Sequence, residues 1–309
     1  MPDAVSNPHR LPSIVVPSHY RITLAPDLAE ATFSGSVEIE VEVGQSTGQI
    51  QLNSADLQIS SAWVLDAIGA RTDASGIEHD VDMERVTLGF SSELSPGPYT
   101  IGADFTGILN DQLHGFYRST FTDEDGIEHT IATTQFESTH ARRAFPCFDE
   151  PAFKASFGVT LDVPVGEFVV SNGPIVSETG LGNDLKRVLF EDTMVMSTYL
   201  VAFIVGPFEA TDPVDVDGVP LRIVHPVGKG HLTDYSLEAG AFALRFFAKY
   251  YGIPYPGQKL DMVAVPDFAF GAMENLGCIT YREVLLLVDK SRSTEPELLR
   301  VADVIAHEI

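Results

Sequence analysis

The sequence predicts a mainly β, antiparallel amino-terminal part followed by a shorter α+β part. Three observations predict it. Short stretches with apolar residues at every second position recur up to about residue 206. Almost nothing in that span repeats at helical spacing. Beyond it, two helical patterns appear among further strand-like runs. At 309 residues the chain is too long for one ordinary core, so two domains are expected, 8–206 and 207–309.

Residues 1–17 are proline-rich and read as an extended lead-in. "RITL" follows, then "SVEIEVEV", which puts Val37, Ile39, Val41 and Val43 on one face and Glu38, Glu40 and Glu42 on the other. That pattern is a strand with one wet face. "QIQL", "LQIS", "RVTLGF" and "YTIGADF" are short strands of the same kind. "FKASFGVTLDVP" alternates over a longer run, from Phe153 through Ala155, Phe157, Val159 and Leu161 to Val163. Turns are expected at "PDLAEATFSG", "SPGP", "DEDG", "SNGP" and "ETGLGND". The apolar run Tyr199 to Val205 reads as a strand buried on both faces. "PLRIVHP" is a further strand. In "TDYSLEAGAFALRFFAKYYG" a helix is expected, capped by Thr233 or Asp234 and stopped by Gly252. "LDMVAVP" and "ITYREVLLLVD" read as strands. The final stretch, "STEPELLRVADVIAHEI", reads as a helix opened by a capping box of Thr294 and Glu297. Its apolar stripe is Leu298, Leu299, Ala302, Ile305 and Ala306.

The net charge is −25, from 19 basic and 44 acidic residues. Such a surface repels nucleic acid and anionic lipid, so neither is expected as a partner. No run is apolar for long enough to cross a membrane as a helix, and the first residues lack the pattern of a secretory signal. The two cysteines, Cys147 and Cys278, make no disulfide framework and fit packed thiols in a reducing compartment. A cytoplasmic address is expected.

The chemistry gathers toward the far end of the sequence. His307 and Glu308 close an apolar helical stretch. In H-E-x-x-H, two histidines four apart share a helix face and hold Zn²⁺, and the glutamate reaches the metal-bound water as general base. Only the first half of that motif is present. Taken alone, the pair reads as a polar pair on a solvated helix end. Upstream, Gly271-Ala272-Met273-Glu274-Asn275 spells GAMEN between two strand-like runs. Its bland reading is a tight backbone passage.

GAMEN followed by His-Glu resembles the signature of the M1 family of zinc aminopeptidases. "TTQFESTHARRAFPCFDEPAFKASF", residues 133–157, resembles that family's Cys-Phe-Asp-Glu-Pro segment, and the opening from residue 11 resembles its puromycin-sensitive or tricorn-interacting branch. The resemblance covers about residues 11–309. It implies a saddle-like β-sandwich followed by the front of a thermolysin-like catalytic domain that holds the GAMEN strand and the start of the zinc helix. By resemblance, Glu137 and Glu274 are the carboxylates that anchor a free α-ammonium group, and Gln135 adds a hydrogen bond to it. Paired carboxylates suit that task because a cation in a low-dielectric pocket is bound strongly and in fixed register. The backbone of Gly271, Ala272 and Met273 is expected to pair with a peptide substrate as an added edge strand. His307 would be the first zinc ligand and Glu308 the general base. The family's second histidine, its glutamate ligand and its oxyanion-steadying tyrosine would lie beyond Ile309. A catalytic zinc normally takes three protein ligands, so the 309-residue chain alone is expected to be inactive, with a well-folded β domain and a poorly supported last helix.

Two other functions fit these residues less well. An M1-like scaffold or peptide-binding module without chemistry has no need of two amine-anchoring carboxylates. An epoxide-hydrolysing relative of the leukotriene-hydrolase type should depart from Ala-Met-Glu-Asn, and this sequence does not. His114, His129 and His140 lack metal spacing and read as loop or surface histidines. Cys147 has no histidine motif beside it and reads as a packed thiol. Arg142 and Arg143 are expected to pair with Asp149 or Glu150.

Overall fold

The computed structural model describes residues 9–123 and 125–309. The expected domain start at residue 8 and the first half of the lead-in lie outside the described residues. The expected strand content is present in four sheets. The largest has eight strands, in the order Ile175–Gly182, Leu185–Phe190, Ser156–Pro164, Val15–Asp27, Thr32–Val43, Gly97–Ile108, Gln58–Asp66 and Arg71–Asp73. A three-stranded sheet joins Thr47–Asn53, Arg85–Leu94 and Gly76–Asp80. A four-stranded sheet runs Phe168–Ser171, Phe203–Gly206, Glu128–Gln135, Gly115–Thr122. The last has six strands. Five follow the order Phe208–Ala210, Val219–Pro226, Leu260–Val265, Cys278–Arg282, Ala272–Met273, and Val214–Val216 adds to Val219–Pro226.

The period-two reading explains the large sheet. Val37, Ile39, Val41 and Val43 all face the core, while Glu38, opposite Arg21, and Glu40, opposite His19, both pair with Arg21. One feature departs from an antiparallel sheet. Val15–Asp27 and Ser156–Pro164 run parallel, in the register Ile22 to Val159. A parallel pair needs a long crossover, and here residues 28–155 form it.

Several local expectations are corrected. The first strand starts at Val15, inside the expected lead-in, and Thr32 already opens the second strand. "ETGLGND" is not one turn. Ile175–Gly182 and Leu185–Phe190 form a hairpin, with the turn confined to Asn183 and Asp184. The Tyr199–Val205 run splits into a 3-10 turn, Thr198–Leu200, and a strand, Phe203–Gly206. The strand expected across "ITYREVLLLVD" ends at Arg282, whose guanidinium donates to the Phe268 and Ala269 carbonyls. Leu285, Leu286 and Leu287 are all buried in succession, which a pleated strand with one wet face cannot arrange.

Two α-helices follow the strand-rich part, α1 (Asp234–Tyr251) and α2 (Glu295–Glu308), and they pack on each other. α1 stops at Gly252, which has φ +70°. Thr233 does not cap it, because its hydroxyl donates to the Gly230 carbonyl instead. α2 does carry the expected cap. The Glu297 carboxylate accepts from the Thr294 amide at 2.7 Å and the Thr294 hydroxyl at 2.8 Å. Its buried residues are Val301 and Ile305, while Leu299 turns to solvent.

One apolar cluster joins the two sheets that matter for the site. Phe121, Ile131, Val170, Ala202 and Ile204 come from the four-stranded sheet. Phe208, Val224, Val263, Val265, Met273 and Cys278 come from the six-stranded sheet and its neighbouring turns. Each large side chain buried there stabilises by about 1.5–3 kcal/mol. The two sheets are thereby held in one packing arrangement.

Candidate active site

The four-stranded sheet delivers Gln135 and Glu137. Gln135 ends its strand opposite Gly115. Its side chain is buried. The Nε2 amide donates to Met273 Sδ at 3.6 Å, and Oε1 has no hydrogen-bond partner. A buried acceptor without a partner is costly, so this one invites a donor from outside the chain. Phe136 is fully buried against Phe145 and Phe203. Next to it, Glu137 is exposed, and the Glu137–Ser138 peptide bond is cis.

The six-stranded sheet delivers GAMEN. Ala272–Met273 pairs with Cys278–Arg282 in the register Ala272 to Tyr281 and Met273 to Thr280, and it forms the sheet's edge. Met273 and Asn275 point inward and Glu274 is exposed. Asn275 Nδ2 donates to Thr280 Oγ1 at 3.3 Å, and the Cys278 amide donates to the Asn275 carbonyl at 3.0 Å. That closes a tight turn directly after Glu274. Gly271 is not required by internal packing. A Cβ there would lie 3.5 Å from Leu285, an ordinary contact, and its backbone is not left-handed. What the missing side chain leaves open is the approach of a second backbone to the edge.

α2 brings His307 and Glu308 to the same place, alongside Ala272–Met273. Electrostatics shows the convergence. Burial pushes the Glu308 carboxyl up. His307 opposes that shift, and the Glu274 and Glu137 carboxylates add to it. Tyr199 is raised by burial and then by the same two carboxylates. Tyr281 is raised far above an ordinary phenol by burial and then by Glu308. Glu137 and Glu274 therefore lie near enough to Glu308 and to Tyr199 for their charges to act on both, and Glu308 near enough to act on Tyr281. Among the described residues no lysine or arginine pairs with any of the three. Such a cluster is suited to hold a cation.

The metal expectation meets a limit. Among the described residues no three His, Cys, Asp or Glu side chains come together to hold a metal ion. His307 is one donor, and the described residues do not by themselves fit a zinc ion.

Sequence reasoning missed Tyr199 and Tyr281. Tyr199 opens an apolar run, and Tyr281 sits in an ordinary strand pattern. Neither carries a motif: the packing of two sheets brings Tyr199 to the carboxylates, and Tyr281 meets Glu308 where α2 packs on the six-stranded sheet. The other histidines lie elsewhere. His114 and His140 rings stand 4.4 Å apart, and His129 pairs with Asp123 at 2.7 Å. Cys147 and Cys278 are both free and buried. Burial raises both thiols, that of Cys278 to about 12. Arg142 pairs with Asp149 as expected, whereas Arg143 reaches Asp56 and Glu84 and not Asp149 or Glu150.

Comparison with known proteins decides the family. The description "Peptidase M1 N-terminal domain" matches residues 16–200, and "Peptidase family M1 domain" matches residues 235–309. The chain belongs to peptidase family M1. It is 43% identical over 303 residues to aminopeptidase M1 of Arabidopsis thaliana, covering 97% of this chain and 34% of that protein. It is 37% identical over 309 residues to the puromycin-sensitive aminopeptidase of Caenorhabditis elegans, covering all of this chain and 33% of that protein. It is 39% identical to human endoplasmic reticulum aminopeptidase 1, covering 98% of this chain and 32% of the relative. The M1 chain thus spans about a third of the length of these relatives. Its β-rich amino-terminal domain is followed by the start of the family's catalytic domain.

Proposed function

We propose that the M1 chain described here is the amino-terminal part of a zinc-dependent aminopeptidase that releases N-terminal residues from peptides. In this reading an all-β domain occupies residues 8–206 and an incomplete thermolysin-like domain residues 207–309. One observation carries the proposal. Glu137, Glu274 and Glu308 come together near the edge strand Ala272–Met273, and among the described residues no cationic side chain pairs with them.

The α-ammonium of a peptide supplies the missing cation, between Glu137 and Glu274, and donates to Gln135 Oε1. The peptide backbone pairs with the open edge of Ala272–Met273, and Gly271 lets it come close. This fixes the first peptide bond relative to Glu308. Burial, then the Glu274 and Glu137 carboxylates, raise the Glu308 carboxyl above an ordinary glutamate, the direction that makes it a stronger base. Glu308 takes the proton of the attacking water and returns it to the leaving amine. Zinc, in the whole protein, supplies a Lewis acid. Of its ligands His307 is the one this chain offers.

The two free thiols fit a reducing, cytoplasmic compartment. One similar protein is named for the endoplasmic reticulum, so fractionation of cells is the check on that address. The function is tested on the whole polypeptide that carries this sequence. It should release the first residue of a peptide with a free amine and leave the N-acetylated peptide intact, and Glu274→Gln should abolish most of that preference. Equal cleavage of both peptides, or none of either, overturns the proposal.

A further inference from the structure

Behind the site lies a buried polar cluster that the proposed reaction does not use. It joins the four-stranded sheet to the turn that follows Glu274. Asn172, directly after the strand Phe168–Ser171, uses its whole carboxamide. Oδ1 accepts from the Ala202 amide at 2.9 Å, and Nδ2 donates to the Leu200 carbonyl at 2.8 Å and the Leu276 carbonyl at 2.9 Å. Lys259 is 7% exposed, and its ammonium donates three bonds. They go to the Ser171 carbonyl at 2.7 Å, the Gly277 carbonyl at 2.7 Å and Asp261 Oδ2 at 2.8 Å. Arg222 Nε holds the other oxygen of Asp261 at 2.6 Å. Gly277 has φ +75°, and a Cβ on it would meet the Asn172 carbonyl at 2.2 Å.

These bonds have a direction. Leu276 and Gly277 are the second and third residues after Glu274, and their carbonyls are tied to Asn172 and Lys259. Both ties end on residues 171–172. Ser171 pairs with Phe203, and the Phe203 amide donates to Thr134 Oγ1, next to Gln135. Leu200, the other carbonyl held by Asn172, adjoins Tyr199 at the carboxylate cluster. A short hydrogen-bonded path therefore runs from the Glu274 turn to the strand end that carries Gln135 and Glu137.

We propose that Asn172 and Lys259 are positioning residues that fix the distance between the carboxylates of Glu137 and Glu274. The proposal deepens the aminopeptidase reading and rests on it. The two carboxylates belong to different sheets, and a bound ammonium must touch both. Apolar packing holds the sheets together but is non-directional, whereas saturated buried polar groups specify one arrangement.

The experiment measures binding of L-leucinamide and N-acetyl-leucinamide to this chain by NMR titration, with thermal unfolding alongside. The unsubstituted chain should bind the free amine and not the acetylated one. Asn172→Ala and Lys259→Met should each weaken leucinamide binding about tenfold, the scale of one misplaced charge-assisted contact. In the Glu274→Gln background the same substitutions should change the affinity less than twofold, because the contact they position is already gone. A merely structural role would weaken binding equally in both backgrounds. Variants that stay folded and bind like the unsubstituted chain overturn the positioning role and leave the aminopeptidase reading standing. Failure of the unsubstituted chain to prefer the free amine overturns both.

Amide exchange on the unsubstituted chain gives a reading that does not depend on variants folding. Leucinamide should slow exchange at Cys278, in the turn after Glu274, and at Ala202, whose amide is held by Asn172. Protection at Cys278 without Ala202 also overturns the proposal.

Discussion

Replacing Tyr281 by phenylalanine should stabilise the protein, against the usual direction of core substitutions. The Tyr281 ring is fully buried among Leu260, Met262, Ala264 and Ile305. Its hydroxyl oxygen is buried without a hydrogen-bond partner. A hydroxyl desolvated in that way costs about 1–3 kcal/mol. Phenylalanine keeps the ring, the rotamer and the packing and removes only the oxygen. The loss is a void smaller than a methyl group, worth roughly 0.5 kcal/mol of dispersion contact. The net gain is about 1 kcal/mol, or a rise in Tm of about 1.5 °C for a chain of this size. Equilibrium unfolding in urea, with the slope compared between variants, is the assay. A loss of more than about 0.5 kcal/mol with an unchanged slope would refute the reasoning. It would mean that the hydroxyl donates a bond after all. The acid that acts on this phenol is Glu308, so that result would recast Tyr281 as the residue that holds the proposed general base.

Three further outcomes follow from local geometry. Thr294→Ala removes the hydroxyl bonded to Glu297 at the start of α2 and should cost about 1 kcal/mol, read from urea midpoints. Gly277→Ala combines a left-handed backbone with a contact at 2.2 Å on the Asn172 carbonyl, and should cost more than about 2 kcal/mol in the same assay. His140 is held below an ordinary histidine, first by burial, then by the His114 ring and the Arg143 cation, with Arg142 adding to the effect and Glu84 opposing it. The unfolded chain takes up that proton near pH 6.5 and the folded chain only at lower pH. The contribution is therefore complete above that value and is lost as the pH falls through the folded one. His140→Gln should flatten the dependence of stability on pH below about 6.5.

How much of this was legible depends on the range of the interaction that decides each feature. Val37 to Val43 and Phe157 to Val163 announce their strands, because burial of one face is written as alternation in the residues themselves. The Thr294–Glu297 cap was legible for the same reason, since both partners lie within one turn. The parallel pairing of Ile22 with Val159 was not, because its register is set across the long crossover between the two strands. Leu285 to Leu287 misled because an apolar run reads alike whether it is a buried strand or a 3-10 turn wrapped into a core. At the site, Gln135, Glu137, Glu274, His307 and Glu308 were found through a motif resemblance. Tyr199, Tyr281, Asn172 and Lys259 carry no motif, and their contacts exist only once distant segments pack together.

The arrangement of charge gives the strongest reason to read the cluster as a site. The chain has more than twice as many acidic as basic residues, 44 against 19, so cations are scarce and their placement is informative. The buried acids receive them. Asp149 is met by Arg142, and Asp261 by both Lys259 and Arg222. Together those two cations hold Asp261 below the usual carboxylate range although burial pushes the other way. Arg143 bridges Asp56 and Glu84. Glu137 and Glu274 act on the Glu308 carboxyl and on Tyr199, and among the described residues no lysine or arginine pairs with any of the three glutamates. Two cations converge on Asp261, directly behind the GAMEN turn, while the acids in front of it go without. Packing alone gives no reason for that division, since one of those cations would relieve the repulsion among the three glutamates. A cation that arrives with a ligand gives one, because a site neutralised in advance by the protein's own lysine would have no affinity left for it.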